Sequence, residues 1–122
     1  MQVPGQPEVR WDRLTAPALV KAAQEKTVVI IPLGATEQHG PHLPTQVDWR
    51  LAYEVSLRAA ALMHGRQPAL VTPAIPFGMS EHHMSLGGTI TLNFAAMAAV
   101  IVLSNVLVQH PMSDWLTLCA FS

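Results

Sequence analysis

A single cysteine, Cys119, stands among 122 residues, so no internal disulfide can form, and a reducing, cytoplasmic setting is the expectation. Basic excess is missing too: seven Lys and Arg face eight Asp and Glu, for a formal charge of -1. That balance offers no surface for neutralising phosphates, which argues against nucleic acid and membrane as partners. There is no long apolar run. The longest, residues 94–103, reaches about ten residues, roughly half of what a bilayer span requires. Residues 1–9 carry Pro4, Gly5, Pro7 and Glu8 in place of a basic and then apolar leader, so they read as a loose, soluble lead-in extending to about residue 14. No internal repeat and no low-complexity tract is present. What remains is a chain that is 50% apolar and 12% charged, enough for one core and too apolar for disorder.

The order of its segments points to an α/β class. Thr15 is placed to N-cap a helix to Glu25, with Pro17 tolerated in the first turn. Residues 27–33, TVVIIPL, are β-branched and apolar on both faces, the mark of a buried parallel strand, and Pro32 is expected to end it. A Gly, Pro and His-rich loop follows to Val47. Leu51, Ala52, Val55, Ala59 and Leu62 then recur at helical spacing, with His64 at the expected C-terminus and Gly65 as the stop. A short strand at 69–72 leads through Pro73 and Pro76 into a second polar loop. Residues 88–92 read as extended, Asn93 as the cap of a helix over 94–109, and 115–121 as a third strand after a turn at Pro111. Strand, loop, helix, twice over, is the grammar of a parallel sheet covered by helices.

Chemistry concentrates in GATEQHGPHLPTQVD, residues 34–48, at the carboxyl end of the first strand, where open α/β sheets bind ligands. Carboxylates and imidazoles suit zinc, manganese or similar divalent ions. Glu37 and His39 form an E-x-H pair whose side chains point the same way in an extended segment, and Asp48 returns at the start of the next helix as a carboxylate able to bridge two ions. Composition alone leaves these residues as either solvated loop positions or metal ligands. The second loop, PFGMSEHHMSLGGTITL at 76–92, brings Ser80, Glu81, His82 and His83 beyond another strand end, so two polar loops converge on one edge. Met63, Met79, Met84 and Met97 are expected to pack, His110 to sit at a helix C-terminus, and Cys119 to be a buried small side chain.

These two loops, each long, ordered and preceded by a strand, resemble the two signatures of the creatininase family, the creatinine amidohydrolases and their relatives, over roughly residues 27–110. The resemblance implies a three-layer α/β/α fold with a mainly parallel sheet. It implies a hydrolase acting on carbon-nitrogen bonds other than peptide bonds, with two divalent metal ions, zinc or manganese, per intact site. By resemblance Glu37 ligates one ion, His39 the other, and Asp48 bridges them as part of the same catalytic set. The water shared by the two ions then becomes hydroxide at neutral pH and attacks a cyclic or linear amide, the ions stabilising the oxyanion. Gln38 and His42 are expected to hydrogen-bond around the ligands. Ser80, Gly88 and Thr89 are expected to shape the pocket for the substrate, a small-molecule amide, Glu81, His82 and His83 either to meet that substrate or to orient the loop, and the family implies a homo-oligomer.

The pattern departs from the family at residues 111–122. There the family continues toward an Asn-Gly-His motif whose His and a following acidic residue complete both metal sites, and no such motif follows Gln109. Residues 1–122 are therefore expected to be a single, C-terminally truncated domain that is inactive or impaired alone. A non-catalytic fragment associating through an exposed sheet edge is one alternative. A family member acting on a peptide or formamide substrate is another.

Overall fold

Four consecutive β-branched residues open Val28–Leu33, the strand β1, and all six of its residues are buried. The computed structural model describes residues 5, 7–109 and 116–121. Among them β1 is the middle of a parallel sheet of order β2-β1-β3, flanked by β2, Ala69–Val71, and β3, Leu116–Phe121. Val28 stands opposite Ala69 on one side and Leu116 on the other.

Burial on both faces follows from the period of two along a strand. Val28 and Ile30 meet Val9, Ala60 and Val71, with Tyr53, Leu57 and Met63 of helix α2, Val47–Met63, packed against them. Val29, Ile31 and Leu33 face the opposite way onto Leu19, Ala22 and Ala23 of α1, Ala16–Gln24, and onto Met97 and Ile101 of α3, Phe94–Gln109. Each such aliphatic side chain taken from water contributes roughly 1.5–3 kcal/mol. Helices on both faces of a parallel sheet make the α/β/α architecture expected from the segment order.

β1 ends at Leu33, one residue past Pro32, where the sequence reading put its end. The ladder shows how Pro32 is accommodated there. Ile30 accepts from Thr72 N and Pro32 accepts from Ile75 N, so the even residues face β2, and β2 stops at Val71. The missing Pro N–H therefore removes no bond between the two strands.

The buried face of α2 keeps Ala52 of the stripe read in the sequence but not its large members. Leu51 and Val55 are 58% and 57% exposed and Leu62 is 85% exposed, whereas Ala52, Ser56 and Ala60 are buried. These small side chains fill the middle of the contact, with Tyr53, Leu57 and Met63 packing beside them. A Cβ added at Gly34, just beyond β1, would stand 2.4 Å from the Trp49 Cα, so only glycine admits this approach.

Helix caps divide in the same way. Asn93 caps α3 as expected, its Oδ1 accepting from Ala96 N at 2.8 Å. Thr15 occupies the N-cap position of α1 without a side-chain cap bond. Residues 8–14, expected to be loose, are held: Val9 is buried and accepts from Val71 N, Arg10 N donates to the Glu8 carboxylate, and Trp11 and Leu14 pack on the core. Met63 and Met97 pack, but Met79 and Met84 are exposed. His110, the turn at Pro111, Trp115 and the Cys119 side chain lie outside what is described. No helix among the described residues is long and apolar enough to cross a membrane.

Candidate metal centre

Both polar loops leave the carboxyl edge of the sheet, and backbone bonds stitch them together. Ile90 N donates to Thr36 O in an antiparallel bridge between the loops, and Leu92 N donates to Gly78 O within the second loop. Side chains add to this: the Thr36 hydroxyl donates to Pro76 O, Gln38 N to the Thr89 hydroxyl, and Ser80 N to the Thr91 hydroxyl. Glu37 N donates to Thr45 O, which folds the first loop back toward α2 and its first-turn residue Asp48.

Glu37, His39 and Asp48 come together there, each offering a ligand atom within 4.8 Å of the others. His39 is fixed at both nitrogens. Its Nδ1 lies 3.1 Å from the Glu37 carbonyl oxygen, which can only accept, so Nδ1 carries a proton and Nε2 is turned to Asp48 Oδ1 at 3.2 Å. Zinc bonds of about 2.0–2.2 Å at a tetrahedral angle place two donors roughly 3.3–3.5 Å apart, close to that separation. A histidine with one ring N–H given to a carbonyl is also the usual form of a metal-binding imidazole. The donor set thus fits a divalent cation.

Its electrostatics agree. Burial and then the neighbouring Glu37 carboxylate raise the pKa of Asp48, with His39 opposing. Burial acts to raise Glu37 also, but it is outweighed by the Ser80 hydroxyl, a hydrogen bond from Asp48 and the nearby His83 and His39, and its pKa is lowered. The His39 pKa is raised, chiefly by its bond to the Glu37 carbonyl, with burial opposing and the two carboxylates assisting. Two carboxylates crowded around one imidazole are a place for positive charge.

Ser80 is fully buried, and its Oγ has no hydrogen-bond partner among the described residues. It lies within reach of the Glu37 carboxylate, whose pKa it lowers. Glu81 and His82 are exposed on a 3-10 turn, Glu81–Leu86. His42 is exposed and packs its ring over Gly40 without bonding a ligand. Gly88 is exposed at φ +71°, and Thr89 is spent on Gln38 N.

His83, read with Glu81 and His82 as meeting substrate or orienting the loop, is half-buried with Nε2 3.6 Å from Glu37 Oε1. With His82 and Glu37 it makes a second group of compatible ligand atoms. The only signal in the sequence was the His pair in the second loop, and nothing there told the inward imidazole from the outward one.

A family model described as creatininase, creatinine amidohydrolase, matches residues 12–110. The chain is 44% identical over 79 residues to a mycofactocin precursor peptide peptidase of Mycobacterium ulcerans, covering 61% of this chain and 32% of that one. It is 35% identical over 81 residues to the creatinine amidohydrolase of Pseudomonas putida, covering 66% and 28%. The chain thus spans about a third of the length of the curated relatives it matches. Among solved structures, a zinc-zinc form of a mutant creatininase superimposes with a TM-score of 0.70 at 25% identity, over 91% of this chain and 44% of the other.

Proposed function

The chain belongs to the creatininase family, and we propose on that footing that it supplies the metal-binding edge of a metal-dependent amide hydrolase. One observation carries this reading: Glu37, His39 and Asp48 converge at the sheet edge, with His39 presenting Nε2 to Asp48 at 3.2 Å. In the proposal Glu37 and His39 each hold one of two divalent ions, zinc or manganese, and Asp48 lies between them. Such ions, when bound, lower the pKa of a coordinated water from about 15.7 toward about 7 and polarise a carbonyl oxygen.

The chain's own residues do the rest. The Glu37 carbonyl holds the His39 ring in the tautomer that leaves Nε2 for a metal. Asp48 supplies a carboxylate from a rigid helical turn, and Gln38 anchors the loop through Gly40 N and Thr89. Ser80 offers a buried, unspent hydroxyl to a bound amide, while Glu81, His82, Gly88 and Thr89 form the rim such a substrate passes. A linear, peptide-like amide is favoured over a cyclic one, since the relative at 44% identity is named for a precursor peptide. Self-association and a cytoplasmic setting belong to the same reading.

Metal content per chain, measured after exposure to zinc or manganese and dialysis, tests it. His39→Ala and Asp48→Ala are each expected to lower uptake, and Glu81→Ala to lower it much less. Equal uptake in wild type, His39→Ala and Asp48→Ala refutes the ligand assignment. Creatinine and a short linear peptide, offered to the loaded protein with release of amine as the signal, then separate the two substrate classes.

A further inference from the structure

His83 and His39 both contact Glu37, one at its carboxylate and the other at its backbone carbonyl, and their hydrogen bonds give them opposite tautomers. Gly40 N donates to Gln38 Oε1 at 3.0 Å, and a backbone N–H can only donate, so this contact fixes which end of the Gln38 amide is oxygen. Gln38 Nε2 is therefore the atom 2.8 Å from His83 Nδ1, and it donates to that nitrogen. The neutral His83 ring then carries its proton on Nε2, the atom 3.6 Å from Glu37 Oε1. At His39 the order is reversed, with the proton on Nδ1.

We propose that His83 is a positioning residue for Glu37, its Nε2–H directed at one carboxylate oxygen by the relay from Gly40 through Gln38. This rests on the reading of Glu37 as a metal ligand. The relay sets Glu37 so that one oxygen faces His83 and the other remains for the ion shared with His39 and Asp48. It also decides between the two groups of compatible ligand atoms. For His83 to bind a metal through Nε2 its proton must move to Nδ1, where the Gln38 amide already points a hydrogen. Turning that amide over breaks the bond from Gly40 N. The group of Glu37, His82 and His83 is accordingly not a second metal site. The contact of 3.6 Å is longer than a hydrogen bond, and the proposal is that it orients charge and shortens as the site loads.

The direct test is the tautomer of His83 in the full chain, free of metal and labelled with 15N at histidine, read from two-bond proton–nitrogen correlations above pH 7. The expected result is a proton on Nε2 of His83 and on Nδ1 of His39. A proton on Nδ1 of His83 overturns the proposal. Zinc titration supplies the second readout. His83→Ala is expected to weaken zinc binding by about 10–100-fold with the number of ions per chain unchanged, and Gln38→Ala to weaken it in the same direction. Loss of one ion per chain in His83→Ala makes His83 a ligand, and unchanged affinity makes it a bystander; either overturns the proposal. Should the wild type take up no zinc, the proposed function falls, while the wild-type tautomer still decides the relay.

Discussion

Gly34→Ala is the change that most directly couples the fold to the centre. The added Cβ would lie 2.4 Å from Trp49 Cα, 2.5 Å from its N and 2.8 Å from its Cβ. Carbon atoms rest about 3.5–4.0 Å apart, so the first turn of α2 has to retreat by about 1 Å. None of the atoms struck is the free end of a flexible side chain, and overpacking of this kind costs about 1–3 kcal/mol. Asp48 precedes Trp49 and moves with it, so its 3.2 Å contact with His39 opens to about 4 Å, beyond the spacing of two donors on one ion. Displacements near 1 Å in a site cost up to about 100-fold. Urea unfolding in chelator and zinc titration against a competing dye measure the two effects separately. Gly65→Ala, with nothing within 4 Å of its new Cβ, is the control for composition alone. If Gly34→Ala keeps both its urea midpoint and a zinc affinity within twofold of wild type, the close approach does not set the geometry of the centre.

Other expectations concern single groups. The raised pKa of His39 stabilises the metal-free chain fully below pH 6.5, and the contribution is lost as pH rises through the folded value. The stability gap between wild type and His39→Gln in chelator should therefore narrow from pH 5.5 to 8.5, and a gap that widens contradicts a proton held by the Glu37 carbonyl bond and the two carboxylates. Ser80→Ala removes the hydroxyl that lowers the Glu37 pKa, so in chelator the Glu37 carboxyl should titrate at higher pH in the variant, read by carbon-13 NMR. An unchanged titration means that the hydroxyl does not act on Glu37. Asn93→Ala deletes the bond to Ala96 N and should cost about 0.5–2 kcal/mol in chemical unfolding; no change means that α3 does not depend on its cap.

Much of the layout was legible because it rests on local pattern. The apolar run of β1 announces burial on two faces, and the Asn93 cap is a property of one side chain and three backbone positions. The convergence of Glu37, His39 and Asp48 was legible from their spacing across one loop. The buried face of α2 was not, because large apolar residues normally mark a core face. Here Ala52 of the stripe is buried as read, but the face turns toward Tyr53, Ser56, Leu57 and Ala60 and leaves Leu51, Val55 and Leu62 outside. The role of His83 was hidden for a related reason. It depends on which way an amide 45 residues away is turned, and that is settled by the Gly40 N–H, not by any spacing in the second loop. Held residues 8–14 likewise owe their order to partners such as Val71, far along the chain.

The stitching of the two loops has a bearing on how such a site changes its specificity. Thr36 and Gln38 are tied across the gap to Pro76, Thr89 and Ile90, so an insertion in either loop at these positions would break bonds to the other. Variation is left to the positions outside the seam, and the exposed Met84 and Leu86 stand there, on the turn Glu81–Leu86. A library confined to those two side chains would sample new substrates while leaving the ligand geometry alone, and one spread over the seam would break the bonds that hold the two loops together.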